Sequence, residues 1–173
     1  MATLTSRNMT YTIDDVNHLY LSIGEAIWNL QHLENVMTTY NALRILQKKR
    51  EKKILFSDEQ AFKILEKQRK LTLGPLISSA KDNHTLSKEL EGRFENFLTE
   101  RNWLIHKCVI SDYLSLRNKE SKEKLFLRIT AFIEDAVSLK RELYNQMQRW
   151  FEGKGYDLEK AYALADELLD KSK

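Results

Sequence analysis

One cysteine, one proline and five glycines in 173 residues leave little room for several kinds of protein. Cys108 stands alone, which excludes an intramolecular disulfide and a cysteine-built metal cluster and points to a reducing compartment. So few glycines and prolines argue against a sheet protein with many tight turns, and suit long helices with few connections. No apolar run approaches the ~20 residues of a membrane span. The polar residues 1–11 lack the apolar core of a signal peptide. Charge of one sign is also scarce: 28 Lys and Arg against 25 Asp and Glu give a formal net charge of +3. That balance permits a nucleic-acid partner without demanding one. The expectation is a soluble, cytoplasmic protein with no membrane partner, folded as one domain over residues 1–173 around one core.

What is present is helical periodicity, with apolar residues recurring at steps of three and four. Residues 1–11 read as a disordered lead, after which Thr12, with Asp15 in the first turn, opens a helix from Ile13 to about Gln47. Its stripe reads Val16, Tyr20, Ile23, Ile27, Leu30 and Met37, widened by Leu19, Ala26 and Leu33. Ser57 and Gln60 form a capping box for a helix from Asp58 to about Leu71. Gly74 and Pro75 mark a break, with Pro75 starting a short helix through Ser79. A further helix begins near Thr85 and ends between Ile110 and Asn118. Ser121 to Phe151 forms the next, stopped by Gly153 and Gly155, and Asp157 caps a last helix over 157–171. The fold class predicted is all-α: an antiparallel helical bundle of about five to six helices.

Two charges break these stripes. Arg101 falls in the centre of the stripe Leu90, Phe94, Phe97, Leu98, Leu104, Ile105, Cys108. A guanidinium there stays charged, so it must be paired or face a polar cleft. Glu34 interrupts the first helix in the same way, and the two suggest each other as an ion pair across the bundle. Such a carboxylate either fixes helix register or orients the arginine. His106 follows Arg101 by five residues and is the side chain suited to proton transfer near neutral pH. Asn102 adds a neutral donor and acceptor. Residues five apart on a helix are separated by about 140°, so Arg101 and His106 do not share a face.

Arg101-Asn102-x-x-x-His106 on a helix of an all-helical chain resembles the R-x4-6-H motif of the HEPN superfamily, in which a polar residue typically follows the arginine. The resemblance spans the bundle from about Ile13 to Phe151, although its specific part is the motif itself. It implies a homodimer in which two motifs meet across a cleft, and metal-independent cleavage of RNA in a toxin–antitoxin, phage-defence or CRISPR setting, with a possible antitoxin or defence-system partner. It also implies roles: His106 as general acid or base, Arg101 holding charge on the phosphate, Asn102 orienting the histidine or the phosphate. No cofactor and no metal are implied. One departure is visible. Toxins of this family paired with nucleotidyltransferases often carry a modifiable tyrosine two residues after the histidine, and here that residue is Cys108.

Lys48, Lys49 and Arg50 begin the densest positive run of the chain, and with Lys107 they are candidate contacts for an RNA backbone. The run also reads as a solvated helix end whose cations favour the C-terminal dipole, the more economical account. His18 and His32 lie fourteen residues apart with no ligand cluster around them. Two other classes fit: an inactive helical module binding RNA or a nucleotide, and a dimeric regulatory or structural subunit anchored by Trp28, Trp103 and Trp150.

Overall fold

The computed structural model describes residues 12–108, 116 and 118–155. They form α1 (Ile13–Glu51), α2 (Asp58–Arg69), α3 (Leu73–Asp82), α4 (Lys88–His106) and α5 (Lys119–Glu152), with no strand among them. The expected lead over 1–11 and the helix over 157–171 lie outside the described residues. No helix among the described residues is long and apolar enough to cross a membrane.

Local chemistry sets most helix starts. Thr12 and Asp15 exchange hydrogen bonds at 3.2 and 2.9 Å, and Ser57 and Gln60 do the same at 3.3 and 3.2 Å, two complete capping boxes. Ser87 accepts from the Leu90 amide, and Asn118 accepts from Glu120 and Ser121. α3 begins earlier than its proline suggests. Pro75 occupies the third helical position, where an amide hydrogen would have no partner within the helix in any case. α4 is shorter than the periodicity predicts, because it stops at His106 with Lys107 as its C-cap.

Consecutive helices run antiparallel, and the two longest, α1 and α5, lie side by side in parallel. Lys122 reaches Asp15 at 2.7 Å near their starts, and Lys154 reaches Glu51 at 2.8 Å near their ends. α4 runs back along α5, with Gln146 donating to the Thr85 carbonyl at one end and Arg128 holding Glu100 at the other. Arg93 fastens the middle of this pair to Asp135 and Glu142. α2 and α3 cover only the C-terminal half of α1, where the buried Asn41 donates to the Leu76 carbonyl at 3.0 Å.

The core lies between α1, α4 and α5. Leu19, Ala26, Leu30, Leu33, Met37 and Tyr40 meet Leu90, Phe94, Phe97 and Leu104, and Leu125, Ile129, Phe132, Ala136, Leu139 and Leu143 close it. Phe97 stacks on Phe132 with centroids 4.6 Å apart. Each helix therefore contributes the alternating three- and four-residue steps of knobs-into-holes packing. On α1 the buried stripe is rotated from the expected one. Leu19, Ala26 and Leu33 form its centre, whereas Tyr20 points to solvent. Apolar residues occupy more than half the circumference of this helix, so the positions of α4 and α5 decide which edge is buried.

Candidate functional site

The spacing that buries Leu90, Phe94, Phe97 and Leu104 puts Arg101 at a core position of α4, as its sequence suggests. Its side chain is half-buried. Nη1 donates to Asn102 Oδ1 at 3.2 Å, while Nε is buried and has no hydrogen-bond partner in the protein. Asn102 is exposed, and the polar contact it makes within the motif is with Arg101, its immediate neighbour. His106 is the last residue of α4, and its imidazole is exposed to solvent. The Lys107 amide closes the helix on the Trp103 carbonyl at 2.8 Å, so Arg101 and His106 both lie within α4 and keep their offset of about 140°. Lys107 is exposed beside His106.

Glu34 has a different partner from the one expected. Among the described residues it forms no ion pair with Arg101 within 4 Å. Its Oε1 instead accepts the Leu73 amide at 3.2 Å, at the start of α3. Thr72, the N-cap of α3, makes no side-chain capping bond, so a carboxylate from α1 supplies one. Burial pushes the Glu34 pKa up, against the lowering fields of Arg101 and the Leu73 amide. Arg101 thus lies close enough to act on Glu34 by its field.

Trp103, off the apolar stripe of α4, packs against the core and is half-buried. The Arg128 guanidinium lies 3.8 Å from its ring centroid, and the same guanidinium holds both Glu100 oxygens, at 2.8 and 3.1 Å. That clamp consumes the ring face that an interface would have used. Trp150 is half-buried against Tyr40 and Arg44, which leaves Trp28 as the exposed tryptophan.

The basic run sits elsewhere. Lys48, Lys49 and Arg50 form the last turn of α1, with Arg50 over the Phe56 ring. Fourteen residues separate Glu34 from Lys48 on one helix, which is about 21 Å at 1.5 Å per residue. The basic run at the end of α1 is therefore well separated from the motif, which lies beside the middle of that helix. Two of the three histidines outside the motif pack on rings, His18 on Phe126 at 4.4 Å and His32 edge-on to Trp28 at 4.8 Å, and His84 is exposed. Among the described residues no three His, Cys, Asp or Glu side chains converge as metal ligands would. No family model, curated protein or solved structure matches the chain.

The arrangement offers a fixed, partly desolvated cation, an amide that steadies it, and an exposed imidazole one and a half turns further along. Such a set suits an anionic oxygen at Arg101 and a proton transfer at His106. Sequence reasoning did not reveal the exposed row Ile13, Tyr20, Leu21 and Trp28 on α1. The signal was present, since these residues carry no charge and stand off the buried heptad positions, but Tyr20 was absorbed into the expected core.

Proposed function

We propose that the chain is a metal-independent endoribonuclease of the HEPN type, a toxin or defence effector whose active site is shared between two copies. The observation that carries this reading is the pairing, on one short stretch of α4, of an exposed His106 with an Arg101 whose buried Nε has no partner in the protein. In the reaction an RNA 2′-oxygen attacks the adjacent phosphorus and the bond from phosphorus to the 5′-oxygen breaks. The products are a 2′,3′-cyclic phosphate and a 5′-hydroxyl. One His106 takes the 2′-hydroxyl proton, and His106 of the second copy returns one to the leaving 5′-oxygen. Arg101 holds the charge that develops on the phosphorane, and Asn102 keeps that guanidinium in place. Lys107 extends the positive edge for the RNA backbone.

The test is cleavage of a mixed RNA pool by purified protein in EDTA. His106→Ala is expected to lower the rate by ~10²–10⁴, the usual value of a general acid or base, with the melting temperature unchanged because the side chain is exposed. DNA, and RNA methylated at the 2′-oxygen, should survive. A wild-type rate equal to that of His106→Ala would sink the proposal and leave a binding module in its place.

A further inference from the structure

The N-terminal half of α1 carries one face that no other helix covers, because α2 and α3 pack only on the C-terminal half. Reading round the helix at 100° per residue, this face comprises Ile13, Asn17, Tyr20, Leu21, Gly24, Ile27, Trp28, Gln31 and Asn35. All are exposed except the half-buried Ile27. Four are large apolar side chains left 71%, 64%, 73% and 64% open: Ile13, Tyr20, Leu21 and Trp28. The face holds no charge, although 31% of the chain is charged. At its centre Gly24 leaves open space where a side chain would stand, with nothing within 4 Å.

We propose that this face is where a second copy of the chain docks, α1 against α1 in antiparallel sense, with the two-fold axis at Gly24. The order of side chains about that glycine argues for the second copy as occupant. An antiparallel pair centred there sets Asn17 level with Gln31, Tyr20 with Trp28, and Leu21 with Ile27 of the second copy. Around the axis amides meet amides, rings meet rings and aliphatics meet aliphatics, and only at the outer edge does Ile13 come level with Asn35, an arrangement close to the self-complementarity that a two-fold contact requires. Gly24 meets Gly24, which lets the two backbones approach. The absence of charge matters equally, because two identical charged faces repel each other while two neutral ones do not. The four large side chains offer roughly 600 Å² per copy, given the 150–250 Å² of a buried aromatic. With the flanking amides this approaches the ~800 Å² per partner of a stable specific interface.

The contact also completes the candidate site, and this step rests on the ribonuclease reading. α4 runs antiparallel to α1, with Arg101 acting on Glu34, so His106 lies about 7.5 Å further towards the α1 N-terminus, close to the level of Trp28. A two-fold axis perpendicular to the plane of the two α1 helices keeps both α4 helices on the same side of that plane. Both sets of Arg101, Asn102 and His106 then flank one cleft.

Sedimentation velocity on the full chain at micromolar concentration is expected to show a dimer. Leu21→Glu and Trp28→Glu are expected to give folded monomers with unchanged helix content, since within one copy both side chains face solvent, and to lower the melting temperature only by the stability that dimerisation adds. Gly24→Cys should oxidise to a disulfide-linked dimer, and an equal mixture of Asn17→Cys and Gln31→Cys chains should cross-link as mixed pairs. A wild-type monomer, or a dimer that survives both glutamate variants, overturns the proposal, as does capture of a different protein or of another segment of this chain on the face. A dimer broken by Trp28→Glu in a protein that leaves RNA intact keeps this interface and removes only the ribonuclease reading. Where RNA is cut, a mixture of Arg101→Ala and His106→Ala chains should recover activity that neither has alone; failure to recover it removes the shared cleft.

Discussion

The Glu34 carboxylate accepts the Leu73 amide hydrogen at 3.2 Å, so a side chain from the middle of α1 caps the first turn of α3. This bond joins residues 39 positions apart and locks the two elements that bracket Arg101. Burial is the largest influence on Glu34 and raises its pKa above the ordinary 4.5. The folded chain therefore holds the Glu34 proton more tightly than the unfolded chain. This group's contribution to stability is fully present below pH 4.5 and falls as pH rises through the elevated folded value.

Glu34→Gln should remove that slope while preserving the cap, because the amide oxygen still accepts from Leu73. Glu34→Ala should lose the cap and cost about 0.5–2 kcal/mol, as N-cap removals do. Urea unfolding between pH 4 and pH 8 checks both. A slope in Glu34→Gln equal to that of the wild type would remove Glu34 as its source.

Arg101 occupies a core position but is only half-buried, and it has no ion-pair partner within 4 Å among the described residues. Arg101→Met keeps most of its apolar stem and should leave stability within ~1 kcal/mol of the wild type, since losing such a charge to a packed hydrophobe is often neutral. On the proposed ribonuclease reading, RNA cleavage should disappear in this variant. Arg101→Lys should fold equally well and still lose most activity, because a point charge cannot reproduce a two-pronged guanidinium. A stability loss above ~3 kcal/mol in both variants, the scale of a broken buried network, would make Arg101 a structural residue.

Arg128→Ala should uncover Trp103. The guanidinium lies 3.8 Å from the ring centroid and also grips Glu100, yet the Arg128 and Glu100 side chains are both well exposed. The expected cost is therefore about 1 kcal/mol, from a surface ion pair and one cation–π contact. With Trp28 and Trp150 replaced by Phe, the emission of Trp103 should shift to the red in Arg128→Ala. An unchanged spectrum would mean that Arg128 does not cover the ring in solution.

The sequence by itself determined what depends on neighbours a few residues away. The capping boxes at Thr12 and Ser57 need partners three positions along, and both form. The placement of Arg101 at a core position of α4 follows from steps of three and four within one helix, and the all-helical class follows from the same periodicity. Tertiary structure decided the rest. Tyr20 and Leu19 are adjacent and both apolar in character, and only the position of α4 and α5 turned one outward and the other inward. Glu34 could have reached Arg101 or a helix start, and the packing of α3 beside α1 gave it Leu73. Trp103 stands off the apolar stripe of its own helix, and Arg128 of α5, held by Glu100 28 residues away in sequence, supplies its cover. In each case the neighbours along one helix do not distinguish the alternatives, so the choice falls to whichever helices the whole core brings alongside.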